Sequence, residues 1–517
     1  MSTHETVSRR TFITAVGATG VALGLSSLAT GCAPQGSDES QALSNTSADD
    51  VAWTDEAEVV VVGLGAAGAA AAVAALEEGA TVIALEAADQ AGGTTALSGG
   101  LIYMGGGTSV QQRLGIEDTP ENFKAYLTKA VGPSADTELL DIFCTSSPDL
   151  CAWCIDHGMT FDGDADETSH IVETPEGISL MYSGNERAAD YASIATPAPR
   201  GHAPSGGAAS IIDSLLQSAG AGLDIRFGTA LSELVTDDSG AVVGVKAEGP
   251  NGPVAVRAGK GVILATGAFT NNDEIVENCR PEALSCRGRT AGPLDRGDGM
   301  IAAQKVGAAV RSTSRMTVGA HVYMYEGLPK GALLNHRGQR MLAEDWYGSF
   351  IGRTILENTL SGCFVIIDQT MYDEAMGCPY AAGLTNITSA DSIEALAEKS
   401  GLNADRTAES IARYNEFCRT GVDEDFGKSP EYLIPIEQGP FYAVSVLPQD
   451  FSAFFTLGGL KIDGSARVIN LDGEPINGLY AAGRCSCGIF GEYAGSGSSI
   501  ADGLTFGRIA GQTAATR

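Results

Sequence analysis

An α/β fold is predicted, in which a parallel sheet is assembled from two distant stretches of chain with an α+β domain inserted between them. Two observations predict it. Near the start, Val59-Val60-Val61-Val62 runs into Gly63-Leu64-Gly65-Ala66-Ala67-Gly68, then an alanine-rich helical stretch, then Thr81-Val82-Ile83-Ala84-Leu85-Glu86. Near the end, Gly478-Leu479-Tyr480-Ala481-Ala482-Gly483 is another short apolar run closing on small residues. The first segment reads as strand, glycine turn, helix, second strand and terminal acid, the order of a Rossmann-like unit that cradles a dinucleotide. Gly63 permits the turn, Gly65 lets a pyrophosphate approach the backbone, and Gly68 lets helix pack on strand. Ala66 and Ala67 open a helix whose N-terminus faces the phosphate charge. Glu86 lies 23 residues beyond Gly63, where a carboxylate accepts from a ribose hydroxyl.

The residues before the sheet read as a leader and a tether. Ser8-Arg9-Arg10-Thr11-Phe12-Ile13 precedes an apolar run to Leu28, the pattern of a twin-arginine export signal over residues 1–32. The run is short for a membrane span, which needs about 20 apolar residues. Leu28-Ala29-Thr30-Gly31-Cys32 looks like a lipoprotein processing site that would make Cys32 a lipid anchor; the alternative is a plain signal with Cys32 incidental. Residues 33–57 are rich in Ser, Asp, Gln and Ala and read as a flexible linker. An extracytoplasmic location follows as the expectation.

Charge narrows the partners. Lys plus Arg is 32 against 64 Asp plus Glu, a net charge of −32, which argues against nucleic acid and against docking on an anionic membrane. Of the 11 cysteines, Cys151-Ala152-Trp153-Cys154 and Cys485-Ser486-Cys487 are the close pairs. The apolar helical setting of the first favours buried thiols, with a redox pair as the alternative. No cluster has metal-site spacing. No haem-attachment motif occurs, so electrons come from another molecule.

Along the chain, residues 58–304 read as the first piece of the dinucleotide domain. Gly92 to Gly100 is a polar glycine loop, residues 120–157 have helical spacing, and Ile211 to Ala221 is a short helix. Residues 223–227, 241–247 and 253–257 alternate like an antiparallel ribbon, and Gly261 to Leu264 is a buried strand. Residues 305–440 form the insertion, with strands at Ser361–Asp368 and around Met324 and helices at 391–399 and 405–418. On a strand, Tyr323 and Tyr325 would share one face. Residues 441–517 return to the first domain and end in a helix over 499–515.

Taken in order, Val61–Gly68, Glu86, Gly92–Gly100, Ala265-Thr266-Gly267, Gly297-Asp298-Gly299, Leu457-Gly458-Gly459-Leu460 and Gly478–Gly483 resemble the flavoproteins that include soluble fumarate reductase, urocanate reductase and the 3-ketosteroid dehydrogenases. The likeness spans about residues 58–514. It implies FAD as cofactor and an inserted catalytic domain capping the flavin. The cofactor contacts it implies are Gly63, Gly65, Ala66, Ala67, Gly68, Glu86, Ala87, Gly93, Thr94, Thr95, Ser98, Gly99 and Gly100 in the early region. Thr266, Gly267, Asp298, Gly483, Arg484, Ser498, Ser499 and Ile500 complete them.

Within the family, Gln339-Arg340-Met341-Leu342-Ala343-Glu344 resembles the stretch whose arginine delivers a proton in fumarate reductases, which makes Arg340 a catalytic candidate. Phe455 and Ala494 stand where dicarboxylate enzymes place a histidine and a carboxylate-gripping arginine, so a neutral substrate fits better. Glu344-Asp345-Trp346-Tyr347 and Glu492-Tyr493-Ala494-Gly495-Ser496 look like the steroid branch, especially its Δ4-(5α) enzymes. The resemblance implies Tyr347 as acid–base group, its pKa lowered by Arg340. It implies Tyr493, with backbone amides near Gly495 and Ser496, as polariser of a keto oxygen. Tyr103, Met316, His321, Tyr323, Trp346, Phe454 and Phe455 would line the pocket. The expected activity is oxidation or reduction of the CH–CH bond beside the ketone of a 3-oxosteroid or similar polycycle, used as an enone reductase fed by a membrane quinol or a cytochrome. The alternatives are a reductase of a small α,β-unsaturated carboxylate and a flavin-bearing electron carrier.

Overall fold

The computed structural model describes residues 48–170, 176–358 and 362–517. The leader with Arg9, Arg10 and Cys32, and the linker up to residue 47, lie outside the described residues.

The main sheet runs Arg467–Ile469, Pro475–Ala481, Gly252–Leu264, Asp55–Val62, Val82–Leu85, Leu223–Arg226. Its last five strands are mutually parallel, and the first pairs antiparallel. Val62 lies opposite both Leu85 and Leu264, and Leu264 opposite Ala481. Four strands therefore finish level with one another, and a crevice opens beyond those carboxyl ends. The apolar runs are continuous rather than alternating because both faces are covered; Val59, Val60 and Val61 are wholly buried.

Gly63 turns the chain out of the first strand at φ +95°, and a Cβ there would stand 2.5 Å from Ala265 O. The helix Ala66–Glu77 that follows packs along the C-terminal helix Ser498–Ala515. A Cβ at Gly507 would collide with Ala67 O, and one at Gly511 with Ala71 O. That four-residue spacing of glycines lets two backbones lie almost in contact and brings both helix N-termini to the same crevice.

Several expected elements are displaced. The ribbon is shifted by one strand: Leu223–Arg226 joins the parallel sheet, and the antiparallel meander is Ala230–Thr236, Val242–Gly249 and Gly252–Leu264. The helical stretch at 120–157 is two helices, Pro120–Ala130 and Thr137–Asp156, with Thr119 and Asp136 accepting from backbone N–H groups at their starts.

The second core holds an antiparallel sheet in the order Ala332–Asn335, Cys363–Ile367, Phe441–Ser445, Ile387–Ala390. Helices Ile393–Ser400 and Ala404–Thr420 lie where the sequence expects them. This core spans Ala320 to Val446. Residues 306–318, expected inside the insertion, pack instead on the first core through Val306, Ala308, Met316 and Val318, because the strand Met316–Gly319 pairs with Ala453–Thr456. Around Met324 there is no strand but a 3-10 turn, Val322–Met324. Tyr323 and Tyr325 accordingly point apart: Tyr323 reaches the crevice while Tyr325 packs against Phe451.

The described cysteines are free, with Cys151 and Cys154 buried in the helix Thr137–Asp156. Among the described residues no helix is long and apolar enough to cross a membrane.

Candidate active site

The crevice is a cleft of about 760 Å³, within the roughly 300–1,000 Å³ of ligand sites. One end is walled by Gly63–Ala67, Glu86–Ala91 and Thr229–Leu231, the middle by Gly93–Leu101 with Thr266, Gly267, Asp298, Gly483, Arg484 and Ile500. The helices beginning at Ala66 and Ser498 are preceded by Gly65 and Gly497, and neither has a side-chain cap. The Ala66 N–H is taken by Thr95 Oγ1 and the Ser498 N–H by Gly495 O, each at 3.2 Å, while the positive ends of the two helix dipoles face the cleft for an anionic ligand. Ser499 Oγ on the same wall is buried without a hydrogen-bond partner. These features fit a dinucleotide with its pyrophosphate at the first helix and an electron-rich carbonyl edge at the second.

Glu86 is on the wall, as expected, and is also tied to the turn it faces. Leu64 N–H donates to its Oε2 (2.7 Å) and Ala88 N–H to its Oε1 (2.9 Å). Gly68 is not on the wall; it lies under the turn, where any side chain would strike Gly63 O. Ser498 is also removed from the cleft, its hydroxyl donating to Gly495 O at 2.6 Å.

Sequence reasoning missed Asp295. Thr94 Oγ1 donates to its Oδ2 (2.9 Å), as does Arg484 Nη2 (2.8 Å), so Asp295 joins the glycine loop to the late loop across the cleft. Burial pushes its carboxyl up even though Arg484 opposes the shift. Its place two residues before Gly297-Asp298-Gly299 was the available signal.

The far end of the cleft is aromatic. Tyr323, Tyr347, Tyr493, Phe455 and His321 line it, with Thr317, Ser349 and Ser496. The Tyr347 hydroxyl is 2.8 Å from Ser496 Oγ. The Tyr347 ring lies 6.3 Å from that of Tyr323 and 6.5 Å from that of Tyr493. Phe455 meets Tyr493 edge-on at 5.1 Å, and His321 Nδ1 is 2.9 Å from the Tyr323 hydroxyl.

Burial dominates the electrostatics here. It pushes Tyr347 well above 10, raises Tyr323 and Tyr493, and lowers His321 to about 4. At neutral pH the pocket holds three protonated phenols and an uncharged imidazole.

One turn positions the reactive pair. Asn185 Oδ1 accepts from Tyr347 N–H at 2.6 Å, while Ser183 O accepts from Ser496 N–H at 2.8 Å. Gly184 bridges to Gly495, and Glu186 below takes a hydrogen bond from Tyr103 at 2.8 Å. Ser183–Glu186 thus registers two segments about 150 residues apart.

Several expected site residues lie elsewhere. Arg340 is outside the cleft wall. Its guanidinium is 2.7 Å from Glu344 and 2.9 Å from Asp423, with Lys428 3.3 Å from Glu344, in the second core. Burial alone would raise the Glu344 carboxyl, but Lys428 and Arg340 hold it below the usual range. Arg340 therefore does not lower Tyr347, which is raised.

Met316 and Phe454 fall on the wrong face of their strands: Thr317 and Phe455, opposite one another, face the cleft. Tyr103 is wholly buried against Phe123 and Tyr126. Trp346 packs between the two cores beside Phe350. Gly495 is not on the cleft wall, and the Ser496 amide is spent on Ser183 O, so neither polarises a carbonyl as expected.

The sequence matches the family described as FAD binding domain over residues 58–500. It is similar to the 3-ketosteroid-Δ4-(5α)-dehydrogenase of Rhodococcus jostii, whose structure is a complex with 4-androstene-3,17-dione. The TM-score is 0.86 at 36% identity, covering 92% of this chain and all of that one. It is 30% identical to a probable fumarate reductase of Shewanella frigidimarina, covering 89% of this chain and 75% of that protein. It is likewise 30% identical to the urocanate reductase of Eggerthella lenta, with coverages of 89% and 75%.

Proposed function

We propose a substrate class for this chain, which belongs to the FAD-binding flavoprotein family and is an FAD-dependent oxidoreductase of the group containing 3-ketosteroid dehydrogenases and fumarate reductases. The substrate is a 3-oxosteroid or similar polycyclic ketone, interconverted with its Δ4 enone and used in the reductive direction. The observation that carries this reading is the far end of the cleft: phenols and Phe455, with the cation lying over Phe455, Arg484, already paired to a carboxylate. Among the described residues the cleft wall holds Arg484, paired with Asp295 and lying over the Phe455 ring at 4.9 Å, and the exposed Arg296.

The residues that would hold FAD are those of the glycine turn, Glu86, the Gly93–Gly100 loop and the start of the C-terminal helix. Bound there, FAD supplies the hydride chemistry. The Tyr493 hydroxyl donates to the ketone oxygen as negative charge gathers on it. Tyr347, paired with Ser496, moves the proton at the carbon next to the ketone. Because burial keeps both phenols protonated, they are prepared to give protons rather than take them, which favours reduction. The twin-arginine leader and Cys32 add an extracytoplasmic, lipid-anchored setting, where a membrane quinol or a cytochrome is the natural electron source.

The competing reading, reduction of a small unsaturated carboxylate, rests on the fumarate and urocanate reductase relatives and would require Arg484 to leave Asp295. Turnover with reduced viologen against 4-androstene-3,17-dione, fumarate and urocanate separates the two. Reoxidation by the enone alone is expected. Reoxidation by carboxylates alone would reverse the assignment, and by none of them would leave an electron carrier.

A further inference from the structure

Behind the aromatic pocket is a second cavity of about 10 Å³, the room taken by about one water. Thr317, Ser349 and Tyr493 line both this cavity and the main cleft, and Arg353 and Glu492 close its other side. Glu492 grips two guanidiniums, Arg353 on Oε2 and Arg315 on Oε1, each at 2.7 Å. The arginine side chains are 26% and 39% exposed, so the outer end reaches solvent. At the inner end Ser349 lines both spaces, close enough to Tyr347 for its hydroxyl to oppose the upward push of burial on that phenol.

We propose that Ser349 and this one-water cavity form the proton-supply line to Tyr347, running from solvent at Arg353 and Glu492 to the Tyr347–Ser496 pair. The proposal rests on the enone-reductase reading above. In that reaction each turnover places a hydride on one carbon and a proton on its neighbour. The proton leaves Tyr347: its O–H bond breaks as the new C–H bond forms.

A phenolate left among buried aromatic rings is strongly disfavoured, so the O–H bond must be remade in step with the transfer. While cofactor and substrate fill the main cleft, solvent cannot reach Tyr347 from that side. Ser349 also borders the small cavity on the other side. It passes its proton to the tyrosine oxygen and takes one from the cavity water, which solvent replenishes. The net change is one proton from bulk water per hydride transferred, with no other reactant. In the oxidative direction the same line runs outward.

Holoenzyme, Ser349→Ala and Ser349→Thr are compared with 4-androstene-3,17-dione and reduced viologen in H2O and D2O. Dissociation constants come from the ligand's perturbation of the visible flavin spectrum. Ser349→Ala should lower kcat roughly tenfold, less than the loss of a direct general acid. KM and the dissociation constant should stay unchanged, the solvent isotope effect should rise, and Ser349→Thr should restore most of the rate.

Unchanged kcat and isotope effect in Ser349→Ala would overturn the supply line. So would equal losses in both variants accompanied by weaker ligand binding, which would make Ser349 a packing residue. A wild-type enzyme that turned over no enone would overturn the functional reading instead, a result distinct from the other two.

Discussion

The two ends of the cleft are built by different means. At the nucleotide end the wall is contiguous backbone, Gly63–Ala67, Glu86–Ala91 and Gly93–Leu101, supplied by turns and by a helix N-terminus. At the aromatic end it is side chains, one or two from each of several separated segments: Thr317, His321 with Tyr323, Tyr347, Phe455 and Tyr493 with Ser496. A backbone-built wall depends on a few conformations that only certain residues adopt. A side-chain wall depends on two cores and a splinting turn that aim the right face of each element inward. The first should fail at its glycines and tolerate much else, and the second should fail at single hydroxyls while leaving the cofactor bound.

The largest effect that would test this contrast is at Gly63. Gly63→Ala places a Cβ against Ala265 O at positive φ, a strain of about 1–3 kcal/mol before the clash is added. The purified variant should carry little flavin, read from the ratio of visible to protein absorbance; full occupancy would break the contrast.

Tyr347→Phe comes next and should behave oppositely. Its flavin content should be normal, while turnover falls about 10²–10⁴-fold, the usual loss of a general acid. Arg340→Met follows, because it strips a buried cluster of its cation and leaves Glu344 and Asp423 to each other and to Lys428. A loss of about 3–5 kcal/mol of stability is expected, seen as a lower denaturation midpoint. Substrate specificity should be retained in the protein that remains folded. A change of specificity at normal stability would return Arg340 to the site.

Asn185→Leu removes the acceptor that holds Tyr347 N–H and should lower kcat roughly tenfold through misplacement, with Asn185→Asp, which keeps an acceptor, near wild type. The smallest effect is that of pH. His321 protonates only near 4, and Tyr323, Tyr347 and Tyr493 are raised from 10. With none of these four groups changing charge between about pH 5 and 9, kcat at saturating enone should vary little across that range. A sharp inflection near neutrality would show that another group sets the rate.

The same contrast explains which parts of the molecule were legible in the sequence. Gly63, Glu86, Thr94 and Gly483 were found because each belongs to a short run whose local conformation is its function. Met316 was misplaced by one residue, and Phe454 was named together with the Phe455 that does face the cleft, since a strand's two faces are equivalent until a partner sheet selects one. Tyr323 was placed on the wall although the strand expected to carry it is a 3-10 turn. Arg340 was misread because a cation in a motif carries no mark of whether it faces a ligand or two buried carboxylates. Asp295 and Ser349 went unnoticed because their partners, Arg484 and Tyr347, depend on the fold: Arg484 lies 189 residues away, and Tyr347, though two residues from Ser349, reaches the pocket only through its packing.

By itself, then, the order of residues determined the cofactor class, the strand–helix–strand start of the parallel sheet and the glycine turn, because these follow from backbone geometry over fewer than about thirty neighbours. The composition of the pocket was set only when the second core, the Ser183–Glu186 turn and the C-terminal helix closed on one another. Which hydroxyls meet, and which charges are buried in pairs rather than offered to a ligand, are properties of contacts between distant segments. No single segment contains them.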